Sequence, residues 1–140
     1  MRILVTGGAG YIGSVMTDVL ADSGHEVTVF DNLSRGYRDA VSPKATFIQC
    51  NVCRRQTSLV AGTLSDRRID AVIHMAGDAL VGESMTDPGK YYRTNVVAGL
   101  SLLGAMRDAG VKPIVFSSTC AVYGVPERTP LDEQMPTRPI

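Results

Sequence analysis

Arg2-Ile-Leu-Val-Thr-Gly-Gly-Ala-Gly-Tyr-Ile-Gly13 decides the fold of this chain. Ile3, Leu4 and Val5 form a short continuous apolar run, as a strand buried on both faces of a parallel sheet requires. Gly8-x-Gly10-x-x-Gly13 then has the spacing in which one glycine makes a tight turn, one lets backbone approach a pyrophosphate, and one brings helix and strand together. Gly7-x-x-Gly10-x-x-Gly13 is a second, roomier reading of the same loop. The free N–H groups opening the following helix point at the phosphates, where the helix dipole also favours negative charge.

Downstream residues support a dinucleotide loop. Ile12, Val15, Met16, Val19 and Leu20 recur at helical spacing, Gly24 supplies a left-handed stop, and Glu26 to Phe30 reads as a second strand. Asp31 follows at the strand tip, about 20 residues past the loop, where an acceptor for the adenosine ribose hydroxyls belongs. A carboxylate there repels a 2′-phosphate and favours NAD over NADP, while Arg35 and Arg38 lie close enough to keep the phosphorylated cofactor open. Asn32, Leu33, Ser34, Arg35 and Gly36 form a polar loop that can wrap the adenosine side.

Ala45 to Gln49 reads as a third strand, Arg54 to Leu64 as a helix with Leu59, Val60 and Leu64 on one face, and Asp70 to His74 as a fourth strand. Met75-Ala-Gly77 supplies small residues where backbone must approach something closely. Asp87 is an N-cap with Pro88 at the first helical position, and the helix it opens runs to Ala109 and stops at Gly110. Its apolar face holds Tyr92, Val96, Leu100, Leu103 and Met106, with Asn95 beside it. Pro113 to Phe116 is a fifth strand, and Ser117-Ser-Thr119 places three hydroxyls at its carboxyl end, the edge where ligands sit in open α/β sheets. His74 reads as a hydrogen-bonded strand-end histidine. The expected fold is α/β, a Rossmann-like doubly wound parallel sheet in a single domain over 1–140, cut before the sheet and a substrate domain are complete.

Fourteen basic and fourteen acidic residues balance, so no net field gathers nucleic acid, and no apolar stretch approaches the length of a membrane span. With no basic leader before the first strand, the expected compartment is the cytoplasm and the expected partner a small molecule. Three cysteines argue against a disulfide framework, and the Cys50-x-x-Cys53 pair has no further ligands at metal-site spacing, so no metal is expected.

Thr6-Gly-Gly-Ala-Gly-Tyr-Ile-Gly13, Asp31-Asn-Leu-Ser, Val72-Ile-His-Met-Ala-Gly77, Val81-Gly-Glu-Ser84, Tyr91-Tyr92 with Asn95-Val96, and Phe116-Ser-Ser-Thr-Cys-Ala-Val-Tyr-Gly124 together resemble the UDP-glucose 4-epimerases of the extended short-chain dehydrogenase/reductase superfamily. The resemblance implies a resident NAD, which oxidises carbon 4 of a UDP-sugar to a ketone and returns the hydride to the other face. It assigns Tyr11 and Ile12 to the pyrophosphate, Asp31 to Gly36 to the adenosine ribose, and Asn51 and Val52 to the adenine. It assigns Met75, Ala76, Gly77 and Asn95 to the cofactor, and Thr119 to the substrate as the catalytic hydroxyl. It also implies a homodimer.

Three departures stand out. Asn51 replaces a common aspartate, and Asp78 with Ala79 replaces the lysine that usually follows the Ala-Gly. No tyrosine here has a lysine four residues on, since Val15, Val41, Asn95, Val96 and Glu127 follow Tyr11, Tyr37, Tyr91, Tyr92 and Tyr123 at that spacing. The Tyr-x-x-x-Lys base of the family is therefore expected in a longer protein of which this chain is the amino-terminal part. Cys120 and Ala121 stand where the related 4,6-dehydratases carry an acid and a base, which favours epimerisation over dehydration. A non-catalytic NAD-binding module is the alternative from a different class.

Overall fold

The computed structural model describes residues 1–52 and 56–140, the Cys120 side chain apart. Five parallel strands make one sheet in the order β3-β2-β1-β4-β5: β1 is Arg2–Thr6, β2 Glu26–Asp31, β3 Thr46–Gln49, β4 Ala71–His74 and β5 Ile114–Phe116. The first strand lies in the middle and pairs on both sides, Val5 opposite Val29 in one direction and opposite Ile73 in the other. The order reverses there, so the crevice beyond the carboxyl ends of β1 and β4 lies at a topological switch point.

Helices cover both faces. On one side α2 (Thr57–Asp66) and α5 (Ala98–Asp108) pack Val60, Leu64, Leu102, Ala105 and Met106 against Leu4, Phe30 and Val72. On the other, α1 (Tyr11–Asp22) sets Met16 and Leu20 against Ile3, Val5, Val27 and Val29. Alternating side chains of β1 therefore feed two separate cores, which is why its sequence is a continuous apolar run.

Between β4 and α5 the chain forms two short helices, α3 (Val81–Thr86) and α4 (Pro88–Tyr91), and a π-helical turn over Tyr92–Val97 that runs directly into α5. The Asp87 carboxylate caps α4 by accepting the Lys90 N–H at 3.0 Å, and Gly110 closes α5 with φ 73°. The sheet expected of a doubly wound domain is thus observed, with strand limits within a residue of those read from sequence. The expected helix over 54–64 begins at Thr57, and Arg54, Arg55 and Cys53 lie outside the described residues.

The helix faces depart from expectation. Of the stripe Tyr92, Val96, Leu100, Leu103 and Met106, only Met106 is buried; the other four are exposed, and α5 meets the sheet through Ala98, Gly99, Leu102 and Ala105 instead. Ala98, Leu102 and Ala105 join the core that holds Leu4, Phe30 and Val72, and the π turn sets the preceding residues in a different register from α5. Helix α1 behaves in the same way: Gly13 and Thr17 are buried, whereas Ile12, Val15 and Val19 are exposed. Among the described residues no helix is long and apolar enough to cross a membrane, and no cluster of side chains is suited to a metal ion.

At the amino edge of the sheet, Arg2 grips Asp70 twice, Nη2 to Oδ1 at 2.6 Å and Nε to Oδ2 at 3.2 Å, while the Arg2 amide donates to Oδ2 at 2.7 Å. These bonds hold the Asp70 carboxyl at about 2, well below the usual carboxylate range. The pair ties β1 to β4 at the end of the sheet away from the cleft.

Candidate functional site

A cleft opens at the carboxyl edge, lined from one side by Gly7, Gly10 and the β2 tip, and from the other by His74 to Asp78 with Thr94 and Ala98. Its floor includes Phe30, and its far end reaches Cys50, Asn51 and Val52. Of the residues singled out in the sequence, the cleft thus brings together Gly7, Gly10, Asp31, Asn32, Ser34, Arg35, Gly36, Asn51, Val52, Met75, Ala76 and Gly77.

The turn is built for close approach. Gly7 has φ 73°, and a Cβ there would lie 2.6 Å from the Ala76 nitrogen, so the first wall touches the second backbone to backbone. Gly10 precedes α1 in an extended conformation and no side chain caps the helix, which leaves its opening N–H groups, at Tyr11, Ile12 and Gly13, for an anion. A Cβ at Gly13 would fall 2.1 Å from the Gly7 carbonyl oxygen, so helix and turn are in contact.

Asp31 joins the glycine turn to the loop that follows β2. Its Oδ2 accepts the Ala9 N–H at 3.0 Å and its Oδ1 accepts the Leu33 N–H at 2.8 Å, with Leu33 itself at φ 59°. Each carboxylate oxygen retains acceptor capacity for a further hydroxyl. The loop returns to the glycine turn through the Tyr37 N–H, which donates to the Ala9 carbonyl at 3.0 Å, and through Gly36, where a Cβ would lie 2.8 Å from Ala9. A dinucleotide fits this cradle: bare backbone for the pyrophosphate, an uncapped helix for its charge, and a fixed carboxylate for ribose hydroxyls.

Asn95 does not line the cleft but holds its wall in place. Its Oδ1 accepts the Asp78 N–H at 2.8 Å and its Nδ2 donates to the Asp78 carbonyl at 2.9 Å, so it clamps the segment that forms the second wall from outside the cleft. Thr119 stands on the same sheet edge, three residues beyond Phe116, and does not line the cleft. Its Oγ1 accepts the Ala121 N–H at 3.1 Å, which leaves the hydroxyl proton available to an incoming acceptor. Cys50 is buried in the core rather than presented to solvent.

His74 is indeed a strand-end histidine. It is buried, its Nδ1 lies 2.6 Å from the Thr6 hydroxyl, and its ring tilts against Phe116 with centroids 5.1 Å apart. Burial lowers its pKa, so the unfolded chain takes up a proton before the folded one does. Its contribution to stability is therefore complete above the unfolded value of about 6.5 and is lost as pH falls from there through the lower folded value. Urea midpoints measured from pH 7.5 to 5 are expected to fall, and His74→Gln is expected to flatten that slope; an unchanged slope would exclude His74 as its source.

What sequence reasoning missed is the ion network beside the cleft. Glu83 on α3 accepts Lys90 Nζ at Oε1 (2.7 Å), and both Arg35 Nη2 (2.6 Å) and the Tyr91 hydroxyl (2.9 Å) at Oε2. Lys90, then Tyr91, hold the Glu83 carboxyl below its ordinary value. No local pattern links residues 35, 83 and 90; the only signal was the unusual Asp78 beside the Ala-Gly.

Comparison with known proteins accords with this geometry. UDP-glucose 4-epimerases from Corynebacterium glutamicum and Lactobacillus helveticus are 48% and 49% identical to the chain over 139 and 140 residues, which is 99% and 100% of this chain and 41% and 42% of theirs. The crystal structure of UDP-glucose 4-epimerase from Brucella ovis in complex with NAD superimposes with a TM-score of 0.84 at 42% identity, over 99% of this chain and 42% of that one. The chain spans about two-fifths of the length of the curated relatives it matches. Residues 3–140 match the NAD dependent epimerase/dehydratase family, and the chain belongs to that family.

Proposed function

We propose that this chain is the NAD-holding part of a cytoplasmic enzyme that inverts carbon 4 of a UDP-hexose, interconverting UDP-glucose and UDP-galactose through a 4-ketone. The observation that carries the reading is the Asp31 carboxylate, fixed by the Ala9 and Leu33 amides on the wall of a glycine-built cleft. The names of the relatives support the substrate.

When bound, NAD supplies an acceptor and donor of hydride at carbon 4. The chain's own residues do the holding. The opening of α1 at Gly10, Tyr11, Ile12 and Gly13 faces the pyrophosphate, Asp31 with the loop to Gly36 takes the adenosine ribose, Asn51 and Val52 border the adenine, and Met75 to Gly77 form the opposite wall, braced by Asn95. The Thr119 hydroxyl would donate a hydrogen bond to the sugar's 4-oxygen and so orient the 4-hydroxyl proton toward a base. A base of suitable pKa is the part these residues lack, because none of their tyrosines has a lysine one helical turn away. The 140 residues alone are therefore expected to bind NAD without epimerising UDP-galactose. The exposed stripe of Tyr92, Val96, Leu100 and Leu103 supports pairing of two copies in the whole protein.

Two measurements test the reading. Calorimetry of this chain with NAD is expected to give binding that Asp31→Ala weakens about tenfold or more. In a protein of the relatives' full length carrying these residues, Thr119→Val is expected to lower turnover about 10²-fold with NAD retained, and Thr119→Ser to be mild. Full turnover in the valine variant would reduce Thr119 to a capping residue.

A further inference from the structure

An arginine near the ribose carboxylate is what such a cleft uses to accept the 2′-phosphate that distinguishes NADP from NAD. Two arginines follow Asp31 in the same loop, and both are engaged elsewhere. Arg38 lies over the Phe47 ring, its guanidinium carbon 4.7 Å from the centroid. Arg35 reaches to the other wall of the cleft, donating from Nη2 to Glu83 Oε2 at 2.6 Å and from Nε to Asp78 Oδ1 at 3.3 Å.

Both acceptors are themselves restrained. Asn95 holds the Asp78 backbone by two hydrogen bonds, and the Asp78 side chain is only 9% exposed. Lys90 and Tyr91 fix the Glu83 carboxylate. The backbone around Arg35 is equally fixed, by the bonds of Asp31, Leu33 and Tyr37 to one another and to Ala9. A change of direction at Arg35 is thus a change of side chain alone, and it breaks two charge-assisted bonds.

We propose that Asp78 and Glu83 determine cofactor preference, by drawing the Arg35 guanidinium onto the β4 side of the cleft and away from the adenosine 2′ position beside Asp31. This rests on the reading of the cleft as a dinucleotide site. Asp31 repels a 2′-phosphate directly; Asp78 and Glu83 occupy the cation that would otherwise offset that repulsion. The two carboxylates touch Arg35, so they act as positioning residues for specificity rather than as cofactor ligands.

The test is direct binding of NAD and of NADP to this chain by calorimetry, at one fixed ionic strength, with the ratio of the two dissociation constants as the readout. In Asp78→Asn/Glu83→Gln the preference for NAD is expected to shrink by about tenfold or more. Adding Arg35→Ala is expected to restore it, an outcome that a general loosening of the cleft would not produce. Asp78→Asn alone leaves the Glu83, Lys90 and Tyr91 cluster intact and is expected to shift the ratio in the same direction, so the claim stays open to refutation if the double variant fails to fold. An unchanged ratio in variants that still bind NAD overturns the role of the two carboxylates and leaves the cleft reading standing. Failure of the unmutated chain to bind either nucleotide overturns the cleft reading and this inference with it.

Discussion

Gly13→Ala is expected to abolish nucleotide binding, weakening NAD at least about 100-fold and lowering the denaturation midpoint. The added Cβ would meet the Gly7 carbonyl oxygen at 2.1 Å and its carbon at 2.8 Å, distances that no rotamer change can relieve because the obstacle is backbone. Gly7 cannot retreat. Its N–H donates to the Phe30 carbonyl at 2.7 Å, its carbonyl accepts the Gly10 N–H at 3.1 Å, and its Cα side abuts Ala76. Overpacking of this kind costs about 1–3 kcal/mol, and more against rigid backbone, which outweighs the roughly 1 kcal/mol that glycine to alanine ordinarily gains inside a helix. Gly62, in the middle of α2 with nothing within 4 Å of its would-be Cβ, isolates that ordinary gain. Gly62→Ala is therefore expected to stabilise the chain by about 0.5–1 kcal/mol and leave the cleft alone. Similar denaturation midpoints and similar NAD affinities for the two variants would show that the contact between α1 and the glycine turn is not as tight as described.

Phe30→Ala is expected to cost about 3–5 kcal/mol, a large part of what a domain of this size possesses. Phe30 is fully buried and is the largest such side chain among the described residues. It packs with Leu4, Val52 and Leu102 on the α2 and α5 side of the sheet, while its carbonyl holds the Gly7 amide and its ring borders the cleft floor. The cavity left by truncation would thus lie directly under the turn, and NAD affinity should fall with stability. Phe30→Leu refills most of the volume and is expected to cost less than about 1.5 kcal/mol. Guanidinium unfolding of the two variants with and without NAD checks both statements, and a loss under about 1 kcal/mol in Phe30→Ala would contradict the packing described.

The legible parts of this structure are those where one local rule acts without competition. The run Ile3 to Val5, followed at once by a glycine turn, reads as a doubly covered strand, and Asp31 does stand at the tip of the second strand. Helix orientation was less legible, because α1 and α5 each carry apolar residues on more than one face. Periodicity shows that a stripe exists but not which stripe docks; in α5 the buried side is Ala98, Leu102, Ala105 and Met106, not Leu100 and Leu103. The π turn at Tyr92–Val97 has no pattern of its own and appears only through packing. Asn95 reads from sequence as a cofactor contact beside an apolar stripe, whereas its amide engages both backbone groups of Asp78, a partner 17 residues away that no spacing rule connects to it. The Arg35, Asp78 and Glu83 contacts were illegible for the same reason.

The central place of β1 carries a consequence for the order in which the chain assembles. Thr6 stands opposite Phe30, 24 residues later, and also opposite His74, 68 residues later. Loop-closure entropy rises by about 0.6 kcal/mol per doubling of loop length, so the first pairing is easier by roughly 1 kcal/mol before any side chain is counted. During synthesis the difference is sharper, since β1, α1 and β2 have all emerged while β4 has still to be translated. The glycine turn, the Phe30 carbonyl that holds it and the Asp31 carboxylate belong to that first unit. The glycine turn and the Asp31 wall of the cleft can therefore form as a local βαβ element on the nascent chain, and the segments after β3 and β4 are laid onto it afterwards.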